Sequence, residues 1–132
     1  MSENTSLPPK GMNLWLMASR AYSFPASIIP VLFGSMLAVV LNPGLQFNFV
    51  NFLLTLIGCV FVQIGTNIIN DIFDYDKGID KEDKDLGIPH GGSMVLSLGY
   101  VSMKQMKTWA VISLTVAFLI GLYLYTQAGS WI

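Results

Sequence analysis

The 132-residue sequence is short of charge: only 11% of its residues are Asp, Glu, Lys or Arg, against 53% apolar. Soluble domains average about a quarter charged, so a water-soluble globule is excluded. Disorder is excluded with it, because that state needs high charge and little apolar surface. A formal net charge of −1 gives no basic footprint for nucleic acid. The single cysteine, Cys59, excludes an internal disulfide and any multi-cysteine metal centre. Set inside an apolar run, it is expected to be a buried, inert thiol. The single histidine, His90, cannot alone make a zinc site or a serine–histidine triad, and its expected place is a loop without chemistry. There is no Walker or dinucleotide glycine pattern, no internal repeat and no low-complexity segment. The few charges are crowded: ten of the fifteen lie between Asp71 and Asp85, leaving Glu3, Lys10, Arg20, Lys104 and Lys107 elsewhere. Apolar segments around one charged island describe a membrane protein.

Three uncharged stretches reach the roughly 20 residues that a helix needs to cross a bilayer: 21–41, 48–70 and 108–128. The expected fold is therefore all-α, a polytopic transmembrane bundle forming a single region, with the link 71–107 between its second and third spans. The first stretch is too long for a signal peptide and lacks a small-residue cleavage pattern. Pro25 and Pro30 should kink or unwind its first half, which a packed bundle tolerates better than a lone anchor. Lys10 and Arg20 precede the first span, Asn42 to Phe47 carry no basic residue, and the long link holds five lysines. The positive-inside rule then places the amino terminus and the 71–107 link in the cytoplasm of an inner membrane. Trp15 and Trp131 fall near the expected interfaces. Only four residues follow the third stretch, so the expectation is the first part of a larger bundle.

The end of the second span carries most of the information: Gln63-Ile-Gly-Thr66-Asn67-Ile-Ile-Asn70-Asp71-Ile-Phe-Asp74-Tyr-Asp76-Lys77-Gly78-Ile-Asp80. On a helical wheel, relative to Gln63, Asn67 falls at about 40°, Asn70 at about 340°, Asp71 at about 80° and Asp74 at about 20°. A carboxamide or carboxylate in hydrocarbon costs several kcal/mol unless it meets a partner or a wet cavity, so this stripe lines something polar. Magnesium prefers one or two carboxylates with waters and substrate phosphates, and a cation would relieve the repulsion among neighbouring acids. A magnesium–phosphate site at the cytoplasmic mouth of a membrane cavity meets both demands. Glu82, Asp83 and Asp85 read instead as a solvated loop. An EF-hand is excluded because its glycine belongs at position six, and counting from Asp74 that place is held by Ile79.

The stretch Asn70 to Asp80 resembles the first aspartate-rich motif of the UbiA-type intramembrane prenyltransferases, and most narrowly their 1,4-dihydroxy-2-naphthoate (MenA-like) branch. His90-Gly-Gly-Ser-Met-Val-Leu-Ser-Leu-Gly-Tyr-Val-Ser102 resembles that branch's glycine–glycine–serine segment, and Trp15 to Arg20 with Pro25 to Pro30 its first helix. The resemblance implies a helical bundle with about three times as many spans. Such a bundle would transfer a polyprenyl group from an allylic diphosphate to an aromatic acceptor, with Mg²⁺ assisting departure of the diphosphate. Carried over by position, Asn70 and Asp74 are the motif core and catalytic candidates. Asp71, Asp74 and Asp80 are metal candidates, and Arg20, Lys77, Asn67 and Asn70 are candidates for the substrate diphosphate. The family's common spacing puts an acid where Gly78 stands, leaving Asp76 and Asp80 as alternatives for the last carboxylate. The second aspartate-rich motif does not occur in these 132 residues, so catalysis by this chain alone is not expected.

Three readings stay open from the residues alone. Arg20 is either an interfacial snorkelling cation or a diphosphate contact. Gly91-Gly92-Ser93 is either a phosphate nest or a connector folding over the cavity mouth. A cation-transporter subunit and a non-catalytic assembly subunit are the alternatives to an enzyme, although acids clustered at one membrane edge suit a diphosphate mouth better than a conduction path. Oligomeric state is not encoded in any feature of the chain.

Overall fold

The computed structural model describes residues 10–79 and 92–128. Among them the chain is all-helical, without a strand: α1 (Met12–Ala18), α2 (Pro25–Leu41), α3 (Phe49–Lys77) and α4 (Met103–Ala128). Three stretches are long and apolar enough to cross a bilayer, Ala21–Leu41, Phe49–Lys77 and Met103–Gln127. The molecule is an integral membrane protein.

Local sequence sets the helix ends. After α1, the Ser19 hydroxyl donates back to the Trp15 carbonyl at 2.7 Å, satisfying one of the carbonyls that a helix end leaves open. Arg20 then adopts φ 52°, and a short 3₁₀ turn over Ala21–Ser23 leads into Pro25 at the first position of α2, where its missing N–H is harmless. Pro30 lies inside α2, which runs unbroken to Leu41. The expected unwinding is therefore confined to the turn before Pro25. The Asn48 side chain accepts from the Asn51 N–H at 3.1 Å and caps the start of α3. Gly78, at φ 74°, ends α3 in the left-handed conformation that glycine adopts without strain. Ser102 and Gln105 bond reciprocally at the start of α4 (Gln105 N–H to Ser102 Oγ 3.2 Å, Ser102 N–H to Gln105 Oε1 2.9 Å), a capping box.

The helices outrun the uncharged stretches that mark the spans. α3 continues seven residues past Asn70, and α4 begins five residues before Thr108, so both helices take residues from the expected 71–107 link. Hydropathy marks where apolar side chains stop, whereas the caps mark where the backbone stops. The 29 residues of α3 span about 43 Å, more than the roughly 30 Å hydrocarbon layer. Its charged end therefore has room to leave the membrane as helix.

α3 is the central element, packed against α4 along its length. Small residues permit the approach, as membrane helices require. A Cβ on Gly58 would lie 3.1 Å from Ile120, and one on Gly65 would lie 2.6 Å from Leu114. The buried core sits at the charged end of α3: Ile64, Ile68 and Ile72 pack with Ala18, Val95, Leu96, Val101, Met106 and Ala110. Trp15 packs against Trp109 beside this core, the ring centroids 5.1 Å apart and the planes tilted by 43°. Cys59 is free and half-buried, more open than expected. α2 has no buried residue, and Ile29, Phe33, Met36 and Val40 are exposed. Its sides are apolar all round, as suits a helix surrounded by lipid or further helices.

Gly65→Val should destabilise the protein by about 1–3 kcal/mol, because the added branches must displace Leu114. Gly34→Val, where an added Cβ meets nothing within 4 Å, should shift stability by less than about 0.5 kcal/mol. Thermal unfolding in detergent, followed by circular dichroism, separates the two variants.

Candidate functional site

The polar stripe on the second half of α3 divides into two rows. Gln63, Asn67 and Asp71 follow one another at intervals of four residues and face the 19–27 bend. The Asn67 amide donates to the Ser19 carbonyl at 2.9 Å and to Ser23 Oγ at 2.8 Å. Gln63 donates to Asn67 Oδ1 at 3.2 Å and to Ser23 Oγ at 3.3 Å, and accepts from Ser27 Oγ at 2.9 Å. Asp71 is only 4% exposed. Its Oδ1 accepts from Arg20 Nη2, and its carboxylate also accepts from the Ser93 N–H, 3.2 Å from Oδ2, and from the Ser93 hydroxyl. Both of its oxygens are thus engaged within the protein.

The second row is open. Asn70 is exposed, Asp74 is half-buried with a side chain 39% exposed, and Lys77 is exposed with Nζ 6.0 Å from the Phe73 ring centroid. On the wheel, Gln63, Asn67 and Asp71 run from about 0° to about 80°, Asp74 falls at about 20° but one turn nearer the end of the helix than Asn70, and Asn70 and Lys77 lie to one side at about 340° and about 320°. Arg20 bridges the rows: the Nη2 that binds Asp71 lies 4.0 Å from Asp74 Oδ2. Its side chain is 14% exposed, so the guanidinium is directed into the protein and is not spread on an interface. Its Nε is buried and has no hydrogen-bond partner among the described residues.

The sequence-predicted candidates are accordingly not one cluster. Arg20, Asp71 and Asp74 come together, Asn70 and Lys77 share the open side, and Asn67 is committed to the bend. Asp80, His90, Gly91 and Trp131 lie outside the described residues. Asp76 is exposed beyond Asp74. Among the described residues no three His, Cys, Asp or Glu side chains gather to hold an ion. The hard-oxygen pair Asn70 and Asp74, one turn apart and accessible, still fits magnesium, which takes one or two protein oxygens and completes its shell with waters and phosphate. Arg20 Nη2, 4.0 Å from Asp74, puts a cation beside this pair, which suits an anionic oxygen there.

Sequence reasoning missed the partners of the packed row. Ser19, Ser23 and Ser27 repeat at four-residue intervals, matching Gln63, Asn67 and Asp71, and that shared period was a signal available in the chain. Ser93 stood out only as part of a glycine-rich stretch. Its buried N–H and hydroxyl point at a carboxylate, so the phosphate-nest reading does not describe this serine, while the connector reading does for 92–101, where Val95, Leu96 and Val101 are buried.

Residues 27–132 match the UbiA prenyltransferase family. The chain belongs to that family. It is 30% identical over 133 residues to the 1,4-dihydroxy-2-naphthoate octaprenyltransferase of Bacillus subtilis, covering 98% of this chain and 40% of that protein. It is 27% identical over 113 residues to the Haemophilus influenzae protein of the same name, covering 86% and 35%. It is also 38% identical over 74 residues to a UbiA prenyltransferase domain-containing protein 1 homolog of Drosophila melanogaster, covering 56% and 21%. The chain thus spans about two fifths or less of the length of each of these UbiA-family relatives. No solved structure matches it.

Asn67→Ala should cost about 1–3 kcal/mol of stability, since it strands the Ser19 carbonyl away from water and takes one partner from the Gln63 amide. Asn70→Ala, on the exposed side, should stay within about 0.5 kcal/mol. Chemical unfolding in mixed micelles checks the difference.

Proposed function

We propose that the protein is part of a membrane prenyltransferase that moves a polyprenyl group from an allylic diphosphate to an aromatic acceptor of the 1,4-dihydroxy-2-naphthoate type. The observation that carries this reading is the open row of α3, Asn70 and Asp74, beside the Arg20 guanidinium at the end of a membrane span. The acceptor class is taken from the names of the bacterial relatives. By the positive-inside rule, the amino terminus and this end of α3 face the cytoplasm across an inner membrane.

Asp74 and Asn70 would hold Mg²⁺, with Asp80 as a further donor after the Gly78 turn. When bound, the ion acts as a Lewis acid that neutralises the leaving diphosphate. Arg20 donates charge-assisted hydrogen bonds to the diphosphate oxygens, and Lys77 adds a second cation on the same side. The apolar tail needs a dry bed, and the groove between α2 and α3 begins at the polar row. A cavity of about 270 Å³ lined by Ala26, Ser27, Pro30, Val31, Cys59 and Val62 opens there. A second, of about 420 Å³, is lined by Leu32, Met36, Val39, Val40, Phe47 and Phe52 towards the other end. Both hollows are open on one side, and further helices closing over them would keep water from an allylic cation until the aromatic ring attacks it. The second acid-bearing helix implied by the family resemblance would complete the site, and this chain by itself is proposed to be inactive.

In the complete enzyme, Asp74→Asn should lower prenyl transfer by about 100-fold or more while membrane insertion persists. Chelating divalent ions should stop the wild-type reaction, and added Mg²⁺ should restore it. Unchanged turnover in Asp74→Asn, measured with radiolabelled allylic diphosphate, would refute the reading.

A further inference from the structure

We propose that Asp71 and Ser93 are positioning residues for Arg20, an inference that rests on the magnesium–diphosphate site above and assigns Asp71 to the guanidinium and not to the metal. The carboxylate is 4% exposed, and its oxygens accept from Arg20 and from both the N–H and the hydroxyl of Ser93, itself 5% exposed. A divalent ion there would sit against Arg20, like charge on like charge, in a place too closed for the waters magnesium keeps. Asp74, one turn nearer the end of the helix, has Arg20 farther off at 4.0 Å and a side chain 39% exposed, which leaves room for an ion and its waters.

The bend that carries Arg20 is held from several sides. Its φ of 52° lies in the left-handed region, which costs a residue with a Cβ about 1–2 kcal/mol. Met94, adjacent to Ser93, is the other non-glycine residue at positive φ among the described residues, at 58°. Conformations of this kind persist where the surroundings over-determine them. Here the surroundings are explicit. Asn67 grips the Ser19 carbonyl and the Ser23 hydroxyl on either side of Arg20, and Asp71 grips the guanidinium itself. Ser93 in turn fixes the Asp71 carboxylate from the connector that leads into α4. The clasp leaves the Arg20 Nη2 4.0 Å from Asp74, which is a cation held beside the open row.

Two roles for Asp71 predict opposite signs. If Asp71 merely cancelled the charge of Arg20, removing its charge would make the site more positive and tighten diphosphate binding. If Asp71 positions Arg20, removing it frees the side chain and weakens binding. Because both the backbone and the guanidinium of Arg20 are restrained, the second sign is the expected one.

The test uses the complete protein in lipid nanodiscs and two probes, a non-hydrolysable allylic thiodiphosphate measured by calorimetry and Mn²⁺ counted by electron paramagnetic resonance with the thiodiphosphate saturating. Asp71→Asn should raise the thiodiphosphate Kd about tenfold and leave the Mn²⁺ Kd within about twofold. Ser93→Ala should move the thiodiphosphate Kd in the same direction by about threefold, and Ser93→Thr, which keeps the hydroxyl, should restore it. Asp74→Asn should lose Mn²⁺. The proposal is overturned if Asp71→Asn loses Mn²⁺ as Asp74→Asn does, if it binds the thiodiphosphate more tightly, or if folded Ser93→Ala binds it as the wild type does. Should Asp71→Asn fail to fold, the Ser93 pair decides. A wild-type protein that binds neither probe defeats the proposed function itself, an outcome distinct from these.

Discussion

A carboxylate at the end of an apolar helix has to be neutralised, and the way Asp71 is neutralised organises this molecule. Its partners are Arg20, at the bend between α1 and α2, and Ser93, in the connector to α4. One side chain therefore ties the first membrane segment and the approach to the last one onto the central helix. Leaving either charge buried alone would cost several kcal/mol. The apolar core of Ile64, Ile68, Ile72, Val95 and Met106 gathers around the same point, so packing and ion pairing reinforce one another at the charged end of α3.

From that anchor follows the division of labour along α3. The side chains at four-residue intervals from Gln63 to Asp71 hold the bend, and those offset from them, Asn70 and Asp74, remain accessible. A helix can present both because Asn70 is turned about 60–100° from Asn67 and Asp71, while Asp74 lies beyond them towards the end of the helix. The packed row supports the open one, since Arg20 comes within 4.0 Å of Asp74 from a bend that α3 itself holds in place.

Much of this was legible in the residues. The three spans and the all-helical fold followed from long uncharged runs, because hydrocarbon thickness leaves few alternatives, and the family followed from the resemblance of the Asn70–Asp80 stretch to its first aspartate-rich motif. The start of α4 was less legible than the end of α3, which Gly78 signals. α3 runs on through Asp71, Asp74 and Asp76 to Gly78 because backbone capping, not hydropathy, decides where a helix stops. The stripe itself was visible as one polar face, but its division into rows was not. That division depends on which elements fold back onto α3, and long-range partners such as Ser93 and Asp71, 22 residues apart, leave no local period. Gly58 and Gly65 were silent for the same reason: a glycine's role in close approach appears only when Ile120 and Leu114 are placed opposite.

The account stands on the claim that the open row, and not the packed one, meets the metal and the diphosphate. The most direct measurement is anomalous scattering from Mn²⁺ in crystals of the complete protein grown in a lipid phase with an allylic thiodiphosphate. The account predicts a manganese peak beside Asn70 and Asp74, with the Asp71 carboxylate still bound to Arg20 and Ser93. A peak on Asp71 with Arg20 turned away, or no manganese at the charged end of α3, would contradict it.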